Sequence, residues 1–322
     1  MEHILVTGID GFVGSHLAEY FLSKENVEIY GTIRNRFQNL DNIEHIKDKL
    51  KLIECDLTDY HAVTEAINRS APDRVFHLAA QSFVPTSWKS PIETFNSNIM
   101  GTLHLFEAVR KSRYDPKIVL ACSSEEYGKV FPNEIPIKET NPLRPRSPYA
   151  VSKIACDFLA YQYFQSYGLK AIRTRFFNIT GPRRGEVFVC SNFAKQIAMI
   201  EAGKQDPVVY VGNLSAKRDF TDVRDVVRAY DLASKKCRPG IVYNVCSGKA
   251  HSIKEVLDIL KGFSKVDFKI EKDKSRLRPS DVPILIGDSS RFRKATGWEP
   301  KIPFKKTLED LLNYWREKLE NL

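Results

Sequence analysis

Gly8, Gly11 and Gly14 follow directly on the apolar run Ile4-Leu5-Val6-Thr7 and open a stretch with helical periodicity that continues to about Ser23. A strand that must enter a helix through three closely spaced glycines has few ways to fold. Gly8 allows the tight turn, Gly11 lets the backbone approach a pyrophosphate, and Gly14 lets helix and strand pack closely. Asp10, Phe12 and Val13 carry the backbone between them. The helix N-terminus that follows offers N–H groups and the positive end of a dipole to phosphates. The spacing is G-x-x-G-x-x-G rather than G-x-G-x-x-G, and a glycine-rich turn alone would be commonplace. Its place between an apolar strand and a helix points to a dinucleotide site.

Short apolar runs and amphipathic stretches alternate through the first half. Strands are expected at 4–7, 27–31, 52–54, 74–78, 117–121 and 171–175, with helices at 60–69, 96–112 and 149–167. That alternation predicts an α/β fold, a Rossmann-type doubly wound parallel sheet. From about Gly181 the chain is richer in Arg, Gly and Pro. Residues 1–180 read as the cofactor-binding domain, and 181–322 as a smaller α/β lobe that closes over the sheet and binds substrate. A strand near 242–245 is expected to return to the main sheet.

The ends of the early strands bear on the cofactor. An acid after the second strand would bind a ribose 2′-hydroxyl, whereas arginine suits a 2′-phosphate. The chain reads Gly31-Thr32-Ile33-Arg34-Asn35-Arg36, so Arg34 and Arg36 favour NADP over NAD. Asp56 and Leu57 end the third strand, where a side chain reaches the adenine edge. Leu78, Ala79 and Ala80 end the fourth and leave room for the cofactor.

Tyr149 and Lys153 stand one helical turn apart, on one face. An ammonium beside a phenol favours the phenolate, so the tyrosine pKa is expected to fall toward working pH. Such a pair takes a proton from an alcohol, or returns one, while a hydride moves. Ser123, Ser124 and Glu125 lie upstream and supply hydroxyls and a carboxylate.

Composition narrows the partners. The formal net charge is +9, but lysine and arginine are spread without a concentrated basic run interleaved with aromatics, which argues against nucleic acid. Six cysteines at 55, 122, 156, 190, 237 and 246 form no C-x-x-C pair and no metal-ligand cluster, so no metal is expected. No cleavable signal segment and no bilayer-length apolar run stand out. The expectation is a cytoplasmic protein without a membrane partner.

Longer stretches carry a resemblance. They are His77-Leu78-Ala79-Ala80-Gln81-Ser82, Ser123-Ser124-Glu125-Glu126-Tyr127-Gly128-Lys129-Val130, Pro145 to Lys153, Phe177-Asn178 and Gly181-Pro182-Arg183-Arg184-Gly185. Phe188-Val189, Gly212-Asn213-Leu214 and Ala216-Lys217-Arg218-Asp219 continue it. With the glycine motif, they make the chain closely resemble the extended short-chain dehydrogenase/reductases that act on nucleotide sugars. It is most similar to the group of GDP-mannose 4,6-dehydratases and GDP-4-keto-6-deoxy-D-mannose reductases.

The resemblance implies that Ser123 hydrogen-bonds the sugar 4-hydroxyl and that Tyr149 is its base. Lys153 is implied to hold the nicotinamide ribose, and Glu125 to be the acid/base of elimination. It also implies a GDP-sugar substrate contacted by Ser82, Ser124, Asn178, Arg183, Val187, Lys195, Arg218 and Arg278. A homodimer through a helix bundle is implied as well, with Leu103, Phe106, Phe158, Leu159, Tyr163 and Phe164 as candidate contacts.

The chain departs from the dehydratase pattern at Asp10-Gly11-Phe12-Val13-Gly14, in the short segment after Arg36, and at Asp219 to Asp225. Arg278 to Pro283 also looks more like the reductases, whereas Lys138-Glu139-Thr140 and Pro182 to Gly185 look like the dehydratases. The leading expectation is water removal from GDP-mannose. Reduction of a 4-keto GDP-sugar, C4 epimerisation, and a cofactor-binding regulatory role without chemistry are the alternatives.

Overall fold

The computed structural model describes residues 1–35, 37–276 and 282–320. Arg36 and Arg278 therefore lie outside the described residues.

The first half runs β1 (Glu2–Thr7), α1 (Phe12–Leu22), β2 (Val27–Ile33), β3 (Lys51–Glu54), α2 (Tyr60–Ser70) and β4 (Arg74–His77). It continues through α3 (Val84–Lys89), α4 (Pro91–Phe95), α5 (Gly101–Lys111), β5 (Lys117–Ser123), α6 (Pro148–Tyr167) and β6 (Ala171–Phe176). Then come β7 (Asn178–Thr180), α7 (Val189–Glu201), β8 (Val208–Val211), β9 (Lys217–Asp222), α8 (Val223–Lys236) and β10 (Val242–Val245). The chain ends with β11 (Ala250–Ser252), α9 (Ile253–Lys261), β12 (Lys269–Lys272), β13 (Ile284–Leu285), α10 (Ser290–Thr296) and α11 (Phe304–Glu320).

Seven parallel strands make the main sheet in the order β10-β6-β5-β4-β1-β2-β3. Strand order reverses at β1, which lies between β2 and β4, and such a switch point opens a crevice at the strands' carboxyl ends. β1 shows why the run is apolar on both faces. Ile4 and Val6 join the core under α1 and α8, while Leu5 joins the core under α2, α5 and α6. A central parallel strand buries both faces.

β10 pairs with β6, Val242 opposite Arg173, so the later half of the chain adds a strand to the sheet. Beyond it, β9 pairs with β7, β11 and β13, and α7, α9 and α11 share a separate apolar core. Among the described residues no helix is long and apolar enough to cross a membrane.

One helix differs from its expectation. The stretch 96–112 contains a π-helical turn at Asn96–Met100 before α5. The Asn98 side chain explains it. Its Oδ1 accepts from Gln81 N–H (2.8 Å), and its Nδ2 donates to Gln81 O (3.1 Å) and Ser152 Oγ (2.9 Å). Those bonds tie the segment after β4 to α6, and the helix widens to let Asn98 reach them. The apolar residues offered for a dimer also sort differently. Phe106 and Tyr163 are buried against the sheet, Leu103 and Leu159 pack on the same core, and Phe164 lies over Gly240. Phe158 alone of the six is exposed.

Candidate active site

The switch-point crevice is a cleft of about 500 Å³, lined from the glycine turn to the ends of β4, β5 and β6. Gly8 takes φ +68°, and a Cβ there would lie 3.0 Å from Ala79 Cα. A Cβ on Gly14 would sit 2.2 Å from Gly8 O, so α1 could not start so close to the turn with any larger residue. Asp10, Gly11, Phe12 and Val13 line the cleft beside them. The Asp10 carboxylate accepts from Gln38 Nε2 (2.8 Å), and burial raises its pKa against the pull of its backbone bond and Arg34.

Arg34, Asp56 and Leu57 line the same cleft. Thr58 fixes Asp56 through its N–H (2.9 Å) and hydroxyl (2.8 Å). Leu78, Ala79, Ala80 and Ser82 follow along the other wall. Thr7 Oγ1 accepts the N–H groups of Leu78 (3.1 Å) and Ala79 (3.2 Å), so its own hydrogen goes to His77 Nδ1 (2.8 Å). His77 is then an Nε2–H tautomer that donates to Thr102 (3.1 Å). Burial, then the charge of Lys153, push its pKa down to about 3, so it is a neutral strut.

At the end of β5, Ser123 begins a single 3₁₀ turn, Ser124–Tyr127, and caps it. Its Oγ accepts Glu125 N–H (3.2 Å), while Glu126 Oε1 accepts Ser123 N–H (2.8 Å). Ser147 caps α6 with Pro148 at its first position, which sets Tyr149 in the first turn and Lys153 one turn on. The Ser123 hydroxyl lies beside the Tyr149 phenol and favours its ionised form. Lys153 Nζ donates to Ala121 O (2.7 Å) and stands 6.0 Å from the Tyr149 ring centre. Ser123, Ser124, Glu125, Tyr149 and Lys153 all line the cleft.

Two adjacent glutamates in the sequence have different fates. Glu125 faces the cleft. Glu126 is fully buried, 2.9 Å from Arg175 Nε and beside Asp157, which pairs with both Arg173 and Arg175. Burial, then Asp157, push the Glu126 pKa well above the carboxylate range. Cys122, Glu126 and Asp157 bring ligand-type atoms within 4.8 Å of one another, but Arg175 ties up the two carboxyls.

The expected fall in the Tyr149 pKa is corrected. Burial raises it, and this outweighs the lowering by Lys153 and by the Ser123 hydroxyl. Tyr149 holds its proton more tightly than a free phenol. Burial alone would lower Lys153, but Tyr149, then the Cys156 and Cys122 thiols and Glu126, reverse this and its pKa rises, so it stays cationic.

The substrate-side residues divide. Asn178 lines the cleft, and its buried Oδ1 has no partner. Arg183 does not line it: its guanidinium turns to α1, reaching His16 Nδ1 (3.0 Å), Glu19 Oε2 (2.5 Å) and Asn42 O (3.1 Å). The neighbouring Arg184 takes the cleft position. Lys195 pairs with Glu186 and lies 5.3 Å over the Trp315 ring, Val187 is 51% exposed, and Arg218 Nη1 donates to Lys217 O and Val282 O. None of these three lines the cleft.

Arg184, Gln38, Thr32 and Phe188 are lining residues that the sequence reading did not select. The doubled arginine was the available signal for Arg184, but nothing in a loop without periodicity tells which of the two faces inward.

The whole chain has close relatives. A family model described as GDP-mannose 4,6 dehydratase matches residues 5–311. GDP-mannose 4,6 dehydratase 1 of Arabidopsis thaliana is 37% identical over 98% of this chain and 91% of its own. GDP-6-deoxy-D-mannose reductase of Pseudomonas aeruginosa is 32% identical over 99% of this chain and 98% of its own. The structure of RMD from Pseudomonas aeruginosa complexed with NADPH superposes with a TM-score of 0.85, at 31% identity, over 98% of this chain and 99% of that one.

Proposed function

The chain belongs to the GDP-mannose 4,6-dehydratase family, and from that premise we propose that it removes water from GDP-mannose to give GDP-4-keto-6-deoxy-D-mannose, with NADP as cofactor. The observation that carries this reading is the cleft-facing carboxylate of Glu125 beside Ser123, Tyr149 and Lys153, with Glu126 committed elsewhere.

The residues present fit the cofactor: a glycine turn in which Gly14 leaves no room for a Cβ and Gly8 takes a positive φ, Arg34 lining the cleft just after β2, and the unpaired Arg184 between Phe12 and Phe188. Held by these residues, NADP would supply a hydride acceptor for C4 of the sugar and a hydride donor for C6. Tyr149 takes the 4-hydroxyl proton while Ser123 holds that oxygen. Lys153, anchored on Ala121 O, keeps positive charge beside the phenol and has N–H groups left for a ribose. A ketone at C4 acidifies the C5 proton. Glu125 removes it and protonates the departing C6 hydroxyl, so water leaves. The proton held by Tyr149 balances the one that C5 regains. Asn178 Oδ1 and Arg184 serve the bound ligands, and the smaller lobe built on α7, β9, α9 and α11 holds the nucleotide.

A second reading, reduction of a 4-keto GDP-sugar with NADPH, is favoured by the raised Tyr149 pKa, which suits a proton donor. Mass spectrometry separates the two. GDP-mannose incubated with the protein and a trace of NADP is expected to lose one water per sugar with no net change in cofactor. An unchanged sugar sinks the dehydratase reading.

The protein acts as a cytoplasmic homodimer. Val151, Phe158 and Tyr161 leave an apolar strip on α6, 42%, 53% and 43% exposed. Val151 and Phe158 are two helical turns apart, and so share a face. Phe158→Asp is expected to shift the sedimentation coefficient from dimer to monomer at micromolar protein; an unshifted dimer removes α6 from the interface.

A further inference from the structure

We propose that Arg183 is a positioning residue. It latches the loop 181–188 to the helix that follows the glycine turn, and so aims Arg184 into the cleft. This rests on the cofactor reading above.

Arg184 needs holding. It makes no ion pair among the described residues, and its buried Nε has no partner. Its guanidinium lies 3.3 Å from the Phe188 ring centre and 5.0 Å from that of Phe12 in the glycine turn. Burial brings its pKa down to about 10, so it remains a cation at neutral pH. The two rings can hold this guanidinium only while the loop backbone keeps Arg184 beside them. Facing a helix N-terminus, it would meet the phosphates of a bound dinucleotide.

Arg183 fixes that backbone. Its φ is +69°, a left-handed conformation uncommon for a residue with a Cβ. The turn sends successive side chains to opposite sides, Arg183 to α1 and Arg184 to the cleft. His16 reads both the loop backbone and the guanidinium: Nε2–H donates to Pro182 O (2.9 Å), which leaves Nδ1 to accept from Arg183 Nη2 (3.0 Å). Glu19 Oε2 takes the same Nη2, and its other oxygen meets His45. Asn42 O accepts from Arg183 Nη1, while Asn42 Nδ2 donates to Asp10 O (2.9 Å). One guanidinium therefore ties together the glycine turn, the segment after β2 and the loop 181–188. Burial, then the charge of Arg183, lower the His16 pKa to about 4, so the acceptor nitrogen is available throughout the working range.

The test is NADPH binding, read by nicotinamide fluorescence on the whole protein without substrate. Arg183→Gly keeps the turn, because glycine adopts positive φ freely, and removes the latch. It is expected to weaken NADPH about tenfold, the loss of a charge-assisted bond's worth of positioning. Arg184→Ala should weaken it at least as much. The double variant should bind no worse than Arg184→Ala alone, since Arg183 acts through Arg184.

Wild-type affinity in Arg183→Gly overturns the proposal. So does a double variant clearly weaker than Arg184→Ala, which would make Arg183 a general structural residue. If the glycine variant does not fold, Glu19→Gln carries the test. It should weaken NADPH about threefold through loss of the latch's carboxylate, and unchanged affinity overturns the proposal. Failure of the wild type to bind NADPH sinks the cofactor reading instead.

Discussion

Tyr149→Phe is expected to lower turnover on the order of a thousandfold while leaving NADPH affinity within about twofold of wild type. The ring is buried, so phenylalanine keeps the packing and the shape of the cleft. Lys153 keeps its bond to Ala121 O. Ser123 loses the phenol beside it, and the 4-hydroxyl loses the base that the proposed mechanism gives it. The pH profile gives a second handle. Burial outweighs Lys153 and holds the Tyr149 proton, so the basic form is the minor one at neutral pH. Below that pKa the basic fraction grows tenfold per pH unit. Wild-type turnover should therefore rise between about pH 6 and pH 9, and the residual rate of the variant should be flat. Stopped assays across that range measure both. A variant that keeps more than about a tenth of wild-type turnover removes Tyr149 from the chemistry.

Regular elements made much of this site readable. β1 and β5 are buried over most of their length and stand out as apolar runs, and the motifs that follow the early strands fall at strand ends that line the crevice. Gly8 and Gly14 were readable because sterics leave no other residue at those positions. Tyr149 and Lys153 were readable because a helix fixes the direction of side chains four apart.

Where the backbone has no period, direction was lost. Arg183 and Arg184 are adjacent in a loop, and only the left-handed turn at Arg183 decides which one enters the cleft. Glu125 and Glu126 share a single 3₁₀ turn, and only Arg175, far along the chain, claims the second. The π turn at Asn98 answers to Gln81 and Ser152, contacts that no local pattern announces. Phe106 and Tyr163 look like interface residues in a wide apolar helix face, yet the sheet beneath them takes them up. Charge and burial also compete at Tyr149. The lysine was visible in sequence, whereas the desolvation that overrides it depends on how deep the ring sits.

Glu125→Gln should separate the two chemistries of this family. The amide keeps the size of the side chain and its N–H bond to Ser123, but it can neither take the C5 proton nor protonate the C6 hydroxyl. Glu126 cannot stand in, because it is fully buried, accepts the Ser123 N–H and is claimed by Arg175. For a dehydratase, water loss from GDP-mannose should fall on the order of a thousandfold. Tyr149, Ser123 and Lys153 remain able to serve oxidation at C4. Reduced nicotinamide should then build up to one equivalent per site and stop, since no C6 acceptor forms. For a reductase the same variant should be spared, because a hydroxyl, a phenol and a lysine suffice to protonate the C4 oxygen. Mass spectrometry of the sugar and absorbance of the reduced nicotinamide report the two outcomes side by side. Water loss at the wild-type rate in the variant would take the elimination away from Glu125 and leave the cleft without the carboxylate on which the dehydratase reading rests.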